Sequence, residues 1–295
     1  MKNRIFTGAG VAIVTPMNKD GSINYEQLGK NIDWQIQNHT DCIVICATTG
    51  ESATMSDQEH IDCIDFTVKH TNGRVPVIAG AGSNDTAYAV EMSKEAKNLG
   101  ADALLHVTPY YNKTSQRGLI AHFSTIAAAT DLPIVLYNVP SRTGLNITVP
   151  TYLELSKIPT IVATKEASGN LSAIAQIKEA VGDNLDIYSG NDDQIVPILS
   201  LGGCGVISVL SNVMPRQTHD ICELYFNGNV KKSSDLQLKL LSLINSLFID
   251  VNPIPVKEAM NMMGQNAGEC RLPLVSLSNN DRLVLENQMK LHGLI

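Results

Sequence analysis

Eight short apolar runs rich in Val, Ile and Leu recur along this chain, at intervals of roughly 20–33 residues, and no other feature restricts the fold as strongly. They read "GAGVAIVTP" (8–16), "CIVICATTGE" (42–51), "VPVIAGAG" (75–82), "DALLHVTPYY" (102–111), "LPIVLYNVP" (132–140), "TIVATKEAS" (160–168), "LDIYSGND" (185–192) and "GVISVLSNV" (205–213). Between them lie stretches with helical period, such as "DTAYAVEMSKEAKNLG" (85–100), "LIAHFSTIAAATD" (119–131) and "LSAIAQIKEAVGD" (171–183). Several of these end in Gly or Asp before the next run. Near-continuous apolar strands are what a parallel sheet needs when helices cover it, and eight strand–helix units are what closes a (β/α)8 TIM barrel. An open, doubly wound sheet is the alternative reading of the same alternation. The 295 residues, 44% of them hydrophobic, are enough for such a barrel, which takes about 250.

Beyond residue 214 only helical periodicity remains, as in "DLQLKLLSLINSLFI" (235–249) and "PIPVKEAMNMMG" (253–264). We therefore expect a barrel over 1–214 and a helical extension over 215–295. No Pro/Gly/Ser-rich linker separates them, so the extension should pack on the barrel.

The net charge of -7 lacks the basic excess that phosphate backbones and anionic membranes select, and no Lys/Arg run exceeds Lys231-Lys232. Nucleic acid and membrane are accordingly not expected partners. Six cysteines are scattered, mostly in apolar segments, with no CxxC and no zinc-ligand spacing; they read as reduced core thiols of a cytoplasmic protein. Lys2 and Arg4 before an apolar stretch imitate a signal peptide, but Thr7, Gly8 and Gly10 interrupt that stretch, which suits a first strand.

In a barrel, the polar residues at the C-terminal ends of strands build the active site. Those ends carry Thr48, Thr49 and Glu51; Tyr110 and Tyr111; Tyr137, Asn138 and Arg142; Lys165 and Glu166; Gly190, Asn191 and Asp192; Ser208 and Ser211. One lysine stands among them. Strand alternation places Lys165 on the face of Ile161 and Ala163, with Glu166 turned away. A lysine removed from water has a lowered pKa, and its neutral amine attacks carbonyl carbons to form Schiff bases. The bland alternative is a lysine that reaches the rim or pairs with a carboxylate. Tyr137, Thr49 and Tyr111 are the hydroxyls that could relay the protons such chemistry needs, although buried tyrosines often only satisfy a carbonyl and Thr48-Thr49 before Gly50 also reads as a turn. "GAGSND" (80–85) lacks the third glycine of a dinucleotide loop, and the histidines form no metal-ligating pair, so neither nucleotide nor metal is indicated. His60 beside Glu59 reads as a helix-surface residue, and Asp192-Asp193 as a solvated helix start.

The segments "ATTGES" (47–52), "VTPYYNKTSQRGL" (107–119), "LYNVPSRTG" (136–144), "TKEASGN" (164–170) and "VNPIPVK" (251–257) resemble, in order and across essentially the whole chain, the 4-hydroxy-tetrahydrodipicolinate synthase family. That resemblance implies a class I aldolase-type lyase condensing pyruvate with L-aspartate 4-semialdehyde, without external cofactor. Lys165 would form the imine with pyruvate and Tyr137 would exchange protons beside it. Thr49 would link Tyr137 to Tyr111, which in the family comes from a neighbouring subunit of a homotetramer built as a dimer of dimers. Thr48, Thr49, Gly190 and Ile207 would hold the pyruvate carboxylate. Arg142 would take the semialdehyde carboxylate, which separates the synthase from the related N-acetylneuraminate lyases and keto-deoxy sugar acid aldolases. A barrel that has lost catalysis and only binds small molecules is a further alternative, but the lysine and tyrosines are retained. The family's lysine-binding regulatory site is echoed by Ser52, Ala53, His60, Asn84 and Tyr110. Asp57 and Tyr88 depart from it, standing where lysine-sensitive members resemble one another in having His and Glu. Weak or absent lysine inhibition is therefore expected.

Overall fold

The structure, a computed structural model, describes residues 4–295. Eight strands, β1 (Gly8–Ala12), β2 (Cys42–Ile45), β3 (Val77–Gly80), β4 (Ala103–Val107), β5 (Ile134–Asn138), β6 (Ile161–Glu166), β7 (Asp186–Ser189) and β8 (Gly205–Ser208), pair in parallel and in sequence order. The barrel closes where β8 pairs with β1, Gly205 opposite Gly8. The doubly wound alternative is thereby excluded.

The intervening helices are α1 (Tyr25–Gln37), α2 (Asp57–Thr71), α3 (Thr86–Asn98), α4 (Gln116–Ala128), the short α5 (Pro140–Thr143), α6 (Val149–Leu155), α7 (Leu171–Val181) and α8 (Ile195–Ser200). Most of the longer ones begin on a side chain that accepts from an otherwise orphaned backbone N–H, among them Asp85, Ser115 and Asn170. Ser56 and Glu59 form a capping box at α2. Helix α9 (Pro215–Phe226) packs against β1, as the eighth helix of a barrel must. Beyond it come α10 (Val230–Ser246), α11 (Ile254–Met262) and α12 (Asn279–Leu291), which pack on one another and, through α10, on α8 and α9. Among the described residues no helix is long and apolar enough to cross a membrane.

Strand alternation divides the apolar side chains into two layers. One lies inside the barrel and includes Val44, Ile78, Leu105, Val135, Ala163 and Tyr188, with Phe6 stacked on Tyr188 at 4.3 Å. The other faces the helices and includes Ile43, Ile45, Leu104, Leu136 and Ile187. In β6 the alternation breaks. The β5–β6 register steps from Ile134 opposite Ile161 to Val135 opposite Ala163, a bulge at Val162. Ile161 therefore joins the outer layer while Val162 and Ala163 both join the inner one. Simple alternation put Ile161 and Ala163 on the face of Lys165; the extra residue corrects that, and of those two only Ala163 lies in the inner layer.

Candidate active site

β6 places Lys165 beside Tyr137 of β5, its register partner, at the C-terminal end of the barrel. Lys165 is 4% exposed, and its Nζ lies 4.4 Å from the centre of the Tyr137 ring. No carboxylate among the described residues bonds it. The neighbouring Glu166 points outward, where its carboxylate accepts from Asn138 Nδ2 at 3.0 Å, Tyr152 Oη at 2.8 Å and the Ser168 backbone N–H at 2.9 Å. Burial, helped by the Arg142 cation, pulls the Lys165 ammonium from 10.5 to about 8, against the opposing field of Asp192. At pH 7 about a tenth of that amine is neutral, against about three in ten thousand for an unshifted lysine. An amine in that state can act as a nucleophile near neutral pH, and the aromatic face beneath it favours a cation.

Tyr137 is buried, which raises its pKa. The Arg142 cation and the nearby Thr48 hydroxyl oppose the rise. Thr48, Thr49 and Gly50 form a tight helical turn after β2, so the turn expected at this sequence and the two hydroxyls at the barrel mouth are one feature. A cavity of about 50 Å³ opens there, lined by Cys46, Ala47, Thr48, Gly80, Leu105 and Tyr137 among others. Gly190 follows β7 and donates its N–H to the Glu166 carbonyl at 2.8 Å. A Cβ there would fall 2.7 Å from Ala167 Cβ and 3.2 Å from Lys165 Cγ, so only glycine leaves room beside the lysine stem. Ile207, in β8, is buried inside the barrel. Arg142 lies exposed on α5, at the rim, donating to the Asn252 carbonyl at 3.2 Å.

Tyr111 is not part of this cluster within one chain. It is 92% exposed, its backbone is left-handed at φ 65°, and it makes no side-chain hydrogen bond among the described residues. Two further sequence readings need correction. His60 is not on a helix surface but buried, its Nε2 2.7 Å from the Gly80 carbonyl oxygen. Asp192 is not a solvated helix start but 2% exposed, its Oδ2 accepting from the backbone N–H groups of Val209 and Leu210. Asp193 is exposed, as expected of both.

The two residues that depart from the regulatory pattern meet each other: Tyr88 Oη donates to Asp57 Oδ1 at 2.7 Å, and burial with this bond pushes the phenol up to about 12. Asn84 Nδ2 donates to the Tyr110 carbonyl at 3.1 Å, while Ser52 and Ala53 lie in the turn that follows Glu51.

Sequence reasoning missed the contribution of the C-terminal extension. Asn252, just before α11, donates from Nδ2 to Thr49 Oγ1 at 3.0 Å and offers its carbonyl to Arg142, bridging the threonine turn to the arginine. Lys257 of α11 forms a fully buried ion pair with Glu51 at 2.7 Å and also donates to the Glu269 carbonyl. Glu51 in turn accepts from the Arg271 backbone N–H. Both residues lie in "VNPIPVK", but nothing local in that segment says which loop they reach.

The profile of the dihydrodipicolinate synthetase family matches residues 5–292. The chain belongs to that family. A 4-hydroxy-tetrahydrodipicolinate synthase of Caldicellulosiruptor saccharolyticus is 56% identical over 290 residues, 98% of each chain. One of Clostridium perfringens strain SM101 is 56% identical over 291 residues, 99% of this chain and all of the relative. The crystal structure of dihydrodipicolinate synthase from Thermotoga maritima superimposes with a TM-score of 0.97 at 40% identity, covering 99% of this chain and 100% of that one. Within this synthetase family member, then, barrel and extension belong to one shared architecture, and Asn252 and Lys257 fall inside the matched span.

Proposed function

We infer that the chain condenses pyruvate with L-aspartate 4-semialdehyde to 4-hydroxy-tetrahydrodipicolinate, the entry to diaminopimelate and lysine, as a Schiff-base-forming lyase. The placement of Lys165 carries the mechanism: a buried amine with no carboxylate bonded to it, depressed toward neutrality, over the ring of a tyrosine that has its own threonine partner.

The neutral amine adds to the keto carbon of pyruvate while its oxygen takes a proton. Loss of water then leaves a protonated imine. That cation is an electron sink, so a C3 proton departs to give an enamine, whose carbon attacks the aldehyde. Tyr137 hands over and recovers the protons, with the Thr48 hydroxyl close by it. Thr48, Thr49, Gly190 and Ile207 hold the pyruvate carboxylate. Arg142, whose planar fork can donate two parallel hydrogen bonds, takes the carboxylate of the semialdehyde at the rim. The amine of that second substrate finally displaces Lys165 and closes the ring. None of these steps requires an external cofactor.

Tyr111 supports an assembly of at least two chains, as in a homotetramer of paired dimers. A tyrosine held at positive φ and almost wholly exposed suits insertion into a neighbouring site, where it would join Thr49 and Tyr137. Mixing Tyr111→Phe with Lys165→Ala subunits should regenerate some intact sites; mixed assemblies no more active than their parents would refute the exchange. For the reaction itself, borohydride reduction in the presence of pyruvate should leave one adduct on Lys165. An adduct on another lysine would overturn this reading.

A further inference from the structure

Above about pH 8, forming the imine turns a neutral amine into a permanent cation inside a barrel, and a buried cation is costly unless something opposes it. Arg142 adds to that cost, and the Tyr137 ring offsets only part of it. Glu166, next in sequence, is turned outward and spent on Asn138, Tyr152 and Ser168. Asp192 is the acid whose field reaches the lysine. It lies two residues after Gly190, whose backbone passes against the Lys165 stem, and it is as buried as the lysine.

Its two oxygens are used differently. Oδ2 accepts from Val209 N at 3.0 Å and Leu210 N at 2.9 Å, tying the turn after β7 to the chain leaving β8, two and three residues beyond Ile207. Oδ1 is buried with no hydrogen-bond partner among the described residues. A buried carboxylate with one oxygen clamped and the other held by no hydrogen bond, with only the Ser208 hydroxyl otherwise stabilising it, is a poor structural device by itself, since an incompletely satisfied buried polar group costs stability. It becomes intelligible if a positive charge appears nearby during the reaction.

We propose that Asp192 is a positioning residue that acts in two ways, clamping the Gly190 and Ile207 walls of the pyruvate pocket and supplying the fixed counter-charge for the cationic imine on Lys165. Lys165 packs on the Tyr137 ring of β5, and the charges acting on it among the described residues are the Arg142 cation of α5 and the Asp192 carboxylate from the turn after β7. Burial raises the Asp192 carboxyl, while the Ser208 hydroxyl and the two backbone N–H groups hold it down.

The inference rests on the imine assigned above and has a signature of its own. Above the lysine pKa, imine formation consumes a neutral amine, pyruvate and a proton and yields a cation and water, so the counter-charge favours the product. Below it, an ammonium is exchanged for an iminium and a counter-charge favours both sides alike. Asp192→Asn is isosteric, and its amide oxygen can still accept from Val209 and Leu210. In the full-length enzyme, the apparent dissociation constant of pyruvate, read from the borohydride-trapped fraction, should rise about tenfold at pH 9, equivalent to one pKa unit, and less than about twofold at pH 6.5. Asp192→Glu should restore the wild-type ratio between the two pH values. Equal weakening at both, or no weakening at either, would overturn the counter-charge. Should Asp192→Asn not fold, Asp192→Glu decides alone: a wild-type ratio supports the proposal and a ratio depressed at high pH refutes it. Failure of the wild-type enzyme to trap pyruvate on Lys165 would instead overturn the imine itself.

Discussion

Two lysines of this chain are buried to nearly the same degree and are satisfied in opposite ways. Lys165, at the end of β6, has no carboxylate bonded among the described residues and sits over a tyrosine ring. Lys257, on α11, is locked to Glu51 at 2.7 Å and to the Glu269 carbonyl. Burial alone therefore does not make a lysine reactive. What separates them is satisfaction: one ammonium is ion-paired and ties two segments together, whereas the other has no carboxylate bonded among the described residues and is depressed toward neutrality by its burial. The paired lysine also adjoins the site, since Glu51 directly follows the Thr48–Gly50 turn at the barrel mouth.

The hardest test of this contrast is Lys165→Met. Turnover should fall by roughly 10⁴-fold or more, because the nucleophile is gone. The protein should nevertheless become more stable at pH 7, by about 3 kcal/mol, since the folded state there carries a cation it disfavours. The folded pKa of about 8 lies below the ordinary 10.5, so between these values the unfolded chain binds more protons and wild-type stability rises with pH. The advantage of Met should thus be complete below pH 8 and vanish towards pH 10.5 in urea melts. An advantage independent of pH would show that packing, not charge, is responsible.

Lys257→Met should do the reverse. Leaving Glu51 buried without its cation should cost about 3–5 kcal/mol in the same melts, while pyruvate is still trapped on Lys165. Adding Glu51→Gln, which keeps an acceptor for the Arg271 N–H, should recover at least about half of that loss. If the single variant is as stable as wild type, the pair is not the brace described here.

Arg142 sharpens the comparison as a cation at the rim, exposed and held by the Asn252 carbonyl. Arg142→Ala should leave pyruvate trapping undiminished and lower kcat/KM for the semialdehyde by about 10- to 150-fold, the equivalent of about 1.5–3 kcal/mol. Equal loss of trapping and condensation would point to a structural role.

The smallest effect is expected from a lysine that is not part of the chain. Free lysine, like Lys257, needs a carboxylate for its desolvated ammonium, and here Asp57 is already engaged by Tyr88 Oη. Calorimetry and rates over a millimolar lysine series should show little binding and little inhibition. Tyr88→Glu should strengthen both; saturable binding with strong inhibition in the wild type would show that Asp57 serves without being freed.

The eight-unit alternation of β1 to β8 was legible because each strand is short, apolar and locally patterned, and the barrel is the closed form of that repeat. The isolation of Lys165 was legible for the same reason: a charge in an apolar strand stands out against its neighbours. Three matters were decided only in three dimensions. The bulge at Val162 moved Ile161 to the outer layer, because register depends on the partner strand as well as on the strand itself. His60 and Asp192 are polar residues in polar surroundings along the chain, and only the acceptor at Gly80 and the donors at Val209 and Leu210 make their burial tolerable. Asn252 and Lys257 stand about two hundred residues from Thr49 and Glu51, a separation across which no periodicity carries information, and closure of the barrel with the extension packed against it brings them together.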